Sequence, residues 1–164
     1  MIIKHFEINK EKLDKHNFFL IYGENEGLKK EIIQALKKKF SGNVENYDEG
    51  QIISNSELFF ENLFNRSLFE KEKIIIVNRC SEKISDIIEK IIDKNISDTK
   101  IILNLNILDK KSKLRNLFEK NKELIIVPTY KDNSIALAEI AKKFFYNYKI
   151  SISQETINLL ISRC

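Results

Sequence analysis

Proline and glycine are scarce in this chain of 164 residues, which has one Pro and four Gly. So little turn and linker material, with no low-complexity segment and no internal repeat, excludes a repeat array or a long flexible tether. Cysteine is equally sparse. Cys80 and Cys164 are far apart, match no metal spacing and are too few for a disulfide framework, so a reducing cytoplasm is the expected setting. His5 and His16 have no cysteine nearby to complete a zinc site. No apolar run reaches membrane-spanning length, and the opening MIIKHFEINKEK lacks the continuous apolar core of a signal peptide. No metal, no cofactor and no membrane partner are expected.

What is present suits a compact fold. Hydrophobic residues make up 43% and charged residues 32% of the chain, enough apolar surface for a core and enough charge for solubility. The length allows one domain with a real core, or one domain and part of another. The formal net charge of +4, from 28 Lys and Arg against 24 Asp and Glu, permits an acidic partner without demanding one.

Five runs rich in β-branched or aromatic residues read as strands: Phe18 to Tyr22, Val44 to Tyr47, Lys73 to Val77, Lys100 to Leu105 and Leu124 to Val127. FFLIY, IIIV and LIIV are almost continuously apolar, the pattern of strands covered on both faces in a parallel sheet. Helical spacing lies between them. Leu28, Ile32, Leu36 and Phe40 recur every four residues behind Asn25 as a cap, and Leu58 to Phe64 forms a short apolar helix. Ile84, Ile87, Ile88, Ile91 and Ile92 form a stripe behind Ser81, and Leu114, Leu117 and Phe118 mark another short helix, with Asp109 as a candidate cap. Strands alternating with helices predict right-handed crossovers, and hence a three-layer α/β domain with a five-stranded parallel sheet over residues 1–129.

After Val127-Pro128-Thr129 the pattern becomes wholly helical. Leu137, Ile140, Ala141, Phe144 and Tyr148 form one stripe. Ser153 then caps a final helix, with Ile152 and Ile157 at the positions of a hydrophobic staple. Residues 130–164 therefore begin a second, all-α unit. Its last helix reaches Cys164 with Ile157, Leu160 and Ile161 in need of a partner surface, so the chain is expected to be a fragment or to pack against something else.

FFLIYGENEGLKK runs from a strand through a glycine turn into a lysine-rich helix, the way a phosphate-binding loop begins. A working loop reads G-x-x-x-x-G-K-[ST], with backbone amides around phosphate, a lysine on the outer phosphates and a hydroxyl on magnesium. Here Gly23 and Gly27 enclose only three residues, two of them Glu24 and Glu26, and the hydroxyl is missing. The third strand ends in Asn78-Arg79, where an acid would organise magnesium and water. Gly23 and Gly27 thus mark a degenerate nucleotide loop, and Lys29 and Lys30 read as a solvated helix face.

Two other stretches invite function. Arg66-Ser67-Leu68-Phe69 puts two large apolar residues directly before Glu70-Lys71-Glu72-Lys73. Leu68 and Phe69 either seal the end of the sheet or are presented to a partner pocket within a charged rim. Lys110, Lys111, Lys113 and Arg115 concentrate positive charge at a helix entry. That is ordinarily a solvated helix start, with phosphate-backbone contact as the minority reading.

Taken in order, FLIYGENEGL, SLFEKEKIIIV, LDKKSKLR and the Pro128 junction into KISISQETINLLISRC resemble the delta subunit of the bacterial DNA polymerase III clamp loader. The resemblance covers essentially the whole chain. It implies an AAA+-like domain of P-loop type that does not hydrolyse ATP, followed by the start of a helical lid domain. A C-terminal collar domain would follow in the family and is absent from this sequence. It also implies that Leu68 and Phe69, with Ser67 and Arg66 beside them, dock in a hydrophobic pocket of the sliding clamp and favour its opened ring. Arg66 departs from the apolar residue that some relatives carry there. ATPase subunits, delta prime and primed DNA would be the further partners. No catalysis is implied beyond membership of a polymerase holoenzyme. The terminal Ser162-Arg163-Cys164 reads as a coincidental match to the arginine motif of ATP-hydrolysing clamp-loader complexes, because it falls in a lid helix beyond the fifth strand. Two other readings stand beside this one: a small nucleotide-dependent enzyme with an atypical loop, and a DNA-binding module using the Lys110 to Arg115 patch.

Overall fold

The computed structural model describes residues 1–4, 7–8, 13–40, 42–64, 72–94 and 96–163. Its chain divides into two compact units, Met1–Thr129 and Tyr130–Cys164.

The first unit is built on five strands: β1 Phe18–Tyr22, β2 Asn43–Asp48, β3 Lys73–Cys80, β4 Thr99–Leu105 and β5 Leu124–Pro128. All pair in parallel, in the order β2-β3-β4-β1-β5. Connecting them are α1 Glu26–Lys39, α2 Glu49–Ser54, α3 Ser56–Phe64, α4 Ser85–Asp93 and α5 Lys113–Lys120. The near-continuous apolar runs are β1, β3 and β5, and both faces of each are covered; β5, although at the edge of the sheet, is bridged by Ile2 at Ile126. Alternate residues feed two cores. Phe18, Leu20, Ile75, Val77, Ile101, Leu103 and Ile126 face Ile52, Phe59, Leu63, Ile88, Ile91, Leu114 and Phe118 of α2 to α5. Phe19, Ile21, Ile74, Ile76, Ile102, Ile125 and Val127 face Ile32 and Leu36 of α1, together with Ile3, Ile8 and Leu13. This is the expected three-layer α/β architecture. The weakly patterned β2 is an edge strand, half-exposed along its length, which explains its mixed sequence NVENYD.

Local signals set most helix starts. Asn25 Oδ1 accepts from Leu28 N at 3.0 Å, and Ser81 caps the 3-10 turn Glu82–Ile84 that leads into α4. The cap of α5 differs from expectation: Ser112, not Asp109, accepts from Arg115 N, at 3.1 Å. Asp109 lies earlier, where its carbonyl takes the Ser112 N–H and so sets that serine in place. The short α2 starts at a capping box, Asp48-Glu49-Gly50-Gln51, which the apolar pattern alone does not register. At its start, Gln51 Oε1 accepts from Asp48 N at 2.8 Å.

In the second unit, α6 Ser134–Asn147 and α7 Gln154–Ile161 form a helical pair capped by Asn133 and Ser153. Ile157 is its buried residue, while Ile140, Phe144 and Tyr148 of the expected α6 stripe are exposed.

Candidate functional site

The carboxyl ends of β1 and β4 meet where successive connections leave the sheet in opposite directions, the crevice that α/β folds use for ligands. Here the crevice is filled from within. Gly23 adopts φ +140°, and its N–H donates to Asn106 O. A Cβ at this position would lie 1.9 Å from Thr129 O, so the turn is packed directly on the chain leaving β5. Thr129 is fully buried, and its N–H and hydroxyl both donate to Tyr22 O, at 2.7 and 3.0 Å. At Gly27 an added Cβ would make only an ordinary contact, 3.6 Å from Asn25 Oδ1, so no special conformation is needed there.

Lys29 corrects the sequence reading. It is 1% exposed, not solvated, and its Nζ donates to Leu105 O at 2.9 Å and Asn106 Oδ1 at 2.7 Å, with Glu26 Oε1 2.7 Å away. Spacing from Ile32 and Leu36 puts residue 29 on the buried face of α1, and those are the three buried residues of that helix. That periodicity was the available signal. Lys30, by contrast, is exposed as expected.

Beside the crevice, Asn104 Nδ2 donates to Asn78 Oδ1 at 3.2 Å, a neutral amide pair on the strands where a nucleotide-hydrolysing fold places its magnesium acid. Val77 and Cys80 of β3 pair with Leu103 and Leu105 of β4, so β3 carries one extra residue. Arg79, at φ 54°, takes up that bulge and turns its guanidinium to Asp48. Glu49, nearly buried, receives Ser81 N and Ser81 Oγ, each at 2.8 Å. Burial, followed by the Glu49 charge, pushes the Cys80 thiol well above its ordinary pKa, leaving it unreactive at neutral pH. Among the described residues no cluster of His, Cys, Asp and Glu fits a metal ion, and no helix is long and apolar enough to cross a membrane.

A cavity of about 570 Å³ opens between the end of β3 and the loop from β4 to α5, lined by Cys80, Ser81, Glu82, Asn106, Leu108 and Ser112 among others. The basic residues belong to this loop and the start of α5. Lys110 and Lys111 are exposed. Lys113 spans Asp86 and Glu89, at 2.8 Å each, and Arg115 pairs with Glu119 at 2.7 Å while lying over the Tyr22 ring. The four cations therefore divide into two turned to solvent and two committed to acids.

Arg66, Ser67, Leu68 and Phe69 lie outside the described residues. The anchors on either side are well defined. The Phe60 and Phe64 rings stack in parallel at the end of α3, with Lys94 Nζ 4.6 Å from the Phe64 ring centre. At the start of β3, Lys73 Nζ donates to Asn62 O at 3.0 Å and pairs with Glu45 at 2.8 Å.

Solved structures share this fold. The Bacillus subtilis DNA clamp loader delta protein matches with TM-score 0.61 at 17% identity, over 96% of this chain and 51% of that one. AMPPCP-bound DnaA from Aquifex aeolicus matches with TM-score 0.62 at 17% identity, over 97% of this chain and 56% of that one. The fold is of the AAA+ type. Domain III of the Thermotoga maritima replication initiation protein DnaA matches with TM-score 0.55 at 13% identity, over 96% of this chain and 72% of that one. The chain spans about half the length of the first two. No family model and no curated protein matches it. At such identities the AAA+ likeness concerns the fold alone.

Proposed function

We propose that this chain is the AAA+-like portion of a replication clamp-loader subunit of the delta type, which binds a sliding clamp and favours its opened ring without hydrolysing ATP. The observation that carries the reading is the coexistence of two features on an AAA+ scaffold. One is a glycine turn whose crevice is closed by its own residues. The other is the motif Ser67-Leu68-Phe69, inserted between α3 and β3. With the inherited nucleotide site closed, the working surface is sought elsewhere, and an adjacent aliphatic and aromatic pair is what an interface anchor requires. Leu68 and Phe69 are the clamp-binding pair in this reading, with Ser67 and Arg66 at its edge. Residues 130–164 are the beginning of a lid domain. ATPase subunits, delta prime and primed DNA are the further partners, in the cytoplasm.

The mechanism is a population shift. A binding protein opens a ring only by as much as it prefers the open form. Complete burial of Leu68 and Phe69 supplies about 3 to 6 kcal/mol in total. Replacing both with Ala should weaken binding to the cognate sliding clamp by roughly a hundredfold or more, measured by surface plasmon resonance, with far-UV circular dichroism unchanged. Undiminished affinity in that variant refutes the assignment.

A further inference from the structure

Counted from Gly23, Lys29 is the sixth residue on, the place of the phosphate-binding lysine in G-x-x-x-x-G-K. An ammonium has three N–H donors and no acceptor. Three protein acceptors surround this one within 2.9 Å: Leu105 O, Asn106 Oδ1 and Glu26 Oε1. The Gly23 amide, at the start of the turn, is likewise given to Asn106 O. The lysine and the start of the turn are therefore both tied to one short stretch, residues 105–106, at the end of β4.

We propose that Lys29 is an internal tether that takes the place of a bound phosphate, locking the glycine turn to the end of β4 and holding the loop that follows in one conformation. The donors of a lysine buried to 1% exposure need partners within the protein, and here the end of β4 meets two of them. The loop beginning at Asn106 is also fixed at its far end. Ser112 Oγ donates to Glu82, and Leu114 N donates to Glu82 Oε1 at 3.0 Å. Between these two attachments lie the exposed Lys110 and Lys111 and the exposed Ile107. The tether upstream and the glutamate downstream thus define how the basic loop is presented and how wide its cavity stands. Here the protein's own groups occupy the lysine, and the loop is held at both ends. This inference does not rest on what residues 66–69 bind.

The test is hydrogen exchange over residues 106–112, read by mass spectrometry with β3 as internal reference, in wild type, Lys29→Met and Asn106→Ala, together with calorimetric titration of each with Mg-ATP. Exchange in the loop should accelerate about tenfold in both variants, as expected when a hydrogen bond to a charged group is lost, while the wild type shows no ATP binding. Asn106 is exposed, so its truncation carries the test alone should Lys29→Met fail to fold. Unchanged loop exchange in Lys29→Met, or in Asn106→Ala where that variant stands alone, overturns the tether. Wild-type binding of Mg-ATP also overturns it, and a tenfold loss of that affinity in Lys29→Met would make Lys29 a phosphate ligand.

Discussion

The two glycines of the turn should respond oppositely to the same methyl group. In Gly23→Ala the new Cβ would fall 1.9 Å from Thr129 O and 2.5 Å from Thr129 C, backbone atoms that no side-chain rotation moves, and 2.5 Å from Thr129 Oγ1. The φ of +140° adds strain of about 1 to 3 kcal/mol for any L side chain. Moving the turn away from Thr129 disturbs the hydrogen bonds Thr129 N to Tyr22 O, Asn25 N to Thr129 O and Gly23 N to Asn106 O. Each contributes about 1 kcal/mol. Together these terms put the cost at roughly 4 kcal/mol or more, a large share of the 5 to 15 kcal/mol that holds a typical domain. Gly27 lies in the first turn of α1 with nothing closer than 3.6 Å to its added Cβ. Gly27→Ala should therefore be neutral, or stabilising by up to about 1 kcal/mol, through helix propensity and a less flexible unfolded chain. Urea denaturation followed by circular dichroism compares the two. A cost below about 1 kcal/mol for Gly23→Ala, or equal costs at both positions, would refute the claim that Gly23 serves backbone packing and Gly27 does not.

Two further perturbations probe the neighbouring contacts. Glu49→Ala should cost about 2 kcal/mol by urea denaturation, because it leaves Ser81 N–H and Oγ without their carboxylate, whereas Glu57→Ala on the exposed side of α3 should stay within about 0.5 kcal/mol. Tyr47 has its pKa raised to about 12, by burial first and then by its hydrogen bond to Glu45. A phenol harder to ionise in the fold than in the unfolded chain contributes stability that is complete below about pH 10 and is lost as pH rises towards 12. Subtracting the urea midpoints of Tyr47→Phe from those of wild type should isolate that loss between pH 9 and 12, and a flat difference counts against it.

Strand positions were legible because the apolar runs are short and rich in β-branched or aromatic residues, which favours strands buried on both faces over helix segments. FFLIY, IIIV and LIIV became β1 and the cores of β3 and β5, with ends displaced by at most a few residues. β2 was the weakest signal because it is half-exposed along its length, whereas β5 at the opposite edge is buried. Caps were legible where the side chain bonds within its own turn, as at Asn25 and Ser153. At α5 the cap is just as local, since Ser112 Oγ accepts from Arg115 N, but Asp109 is a competing candidate by residue type, and Glu82, some thirty residues upstream, receives Ser112 Oγ and Leu114 N and so adds support for the serine. Local spacing carries no trace of such a partner.

Composition and periodicity alone determined a parallel α/β sheet followed by helices, and they revealed a glycine turn that departs from the nucleotide-binding pattern, since these depend on neighbours in sequence. Only the tertiary structure decided what occupies the crevice. The distance from Lys29 to Leu105 and Asn106 is set by the pairing of β1 with β4 and by the docking of α1 on that sheet, so a residue that reads as surface charge by its lysine neighbours becomes buried and fully partnered. Spacing along the chain specifies which face of a helix a residue occupies. Whether that face meets water, a phosphate or the protein's own carbonyls is decided by what the fold brings against it.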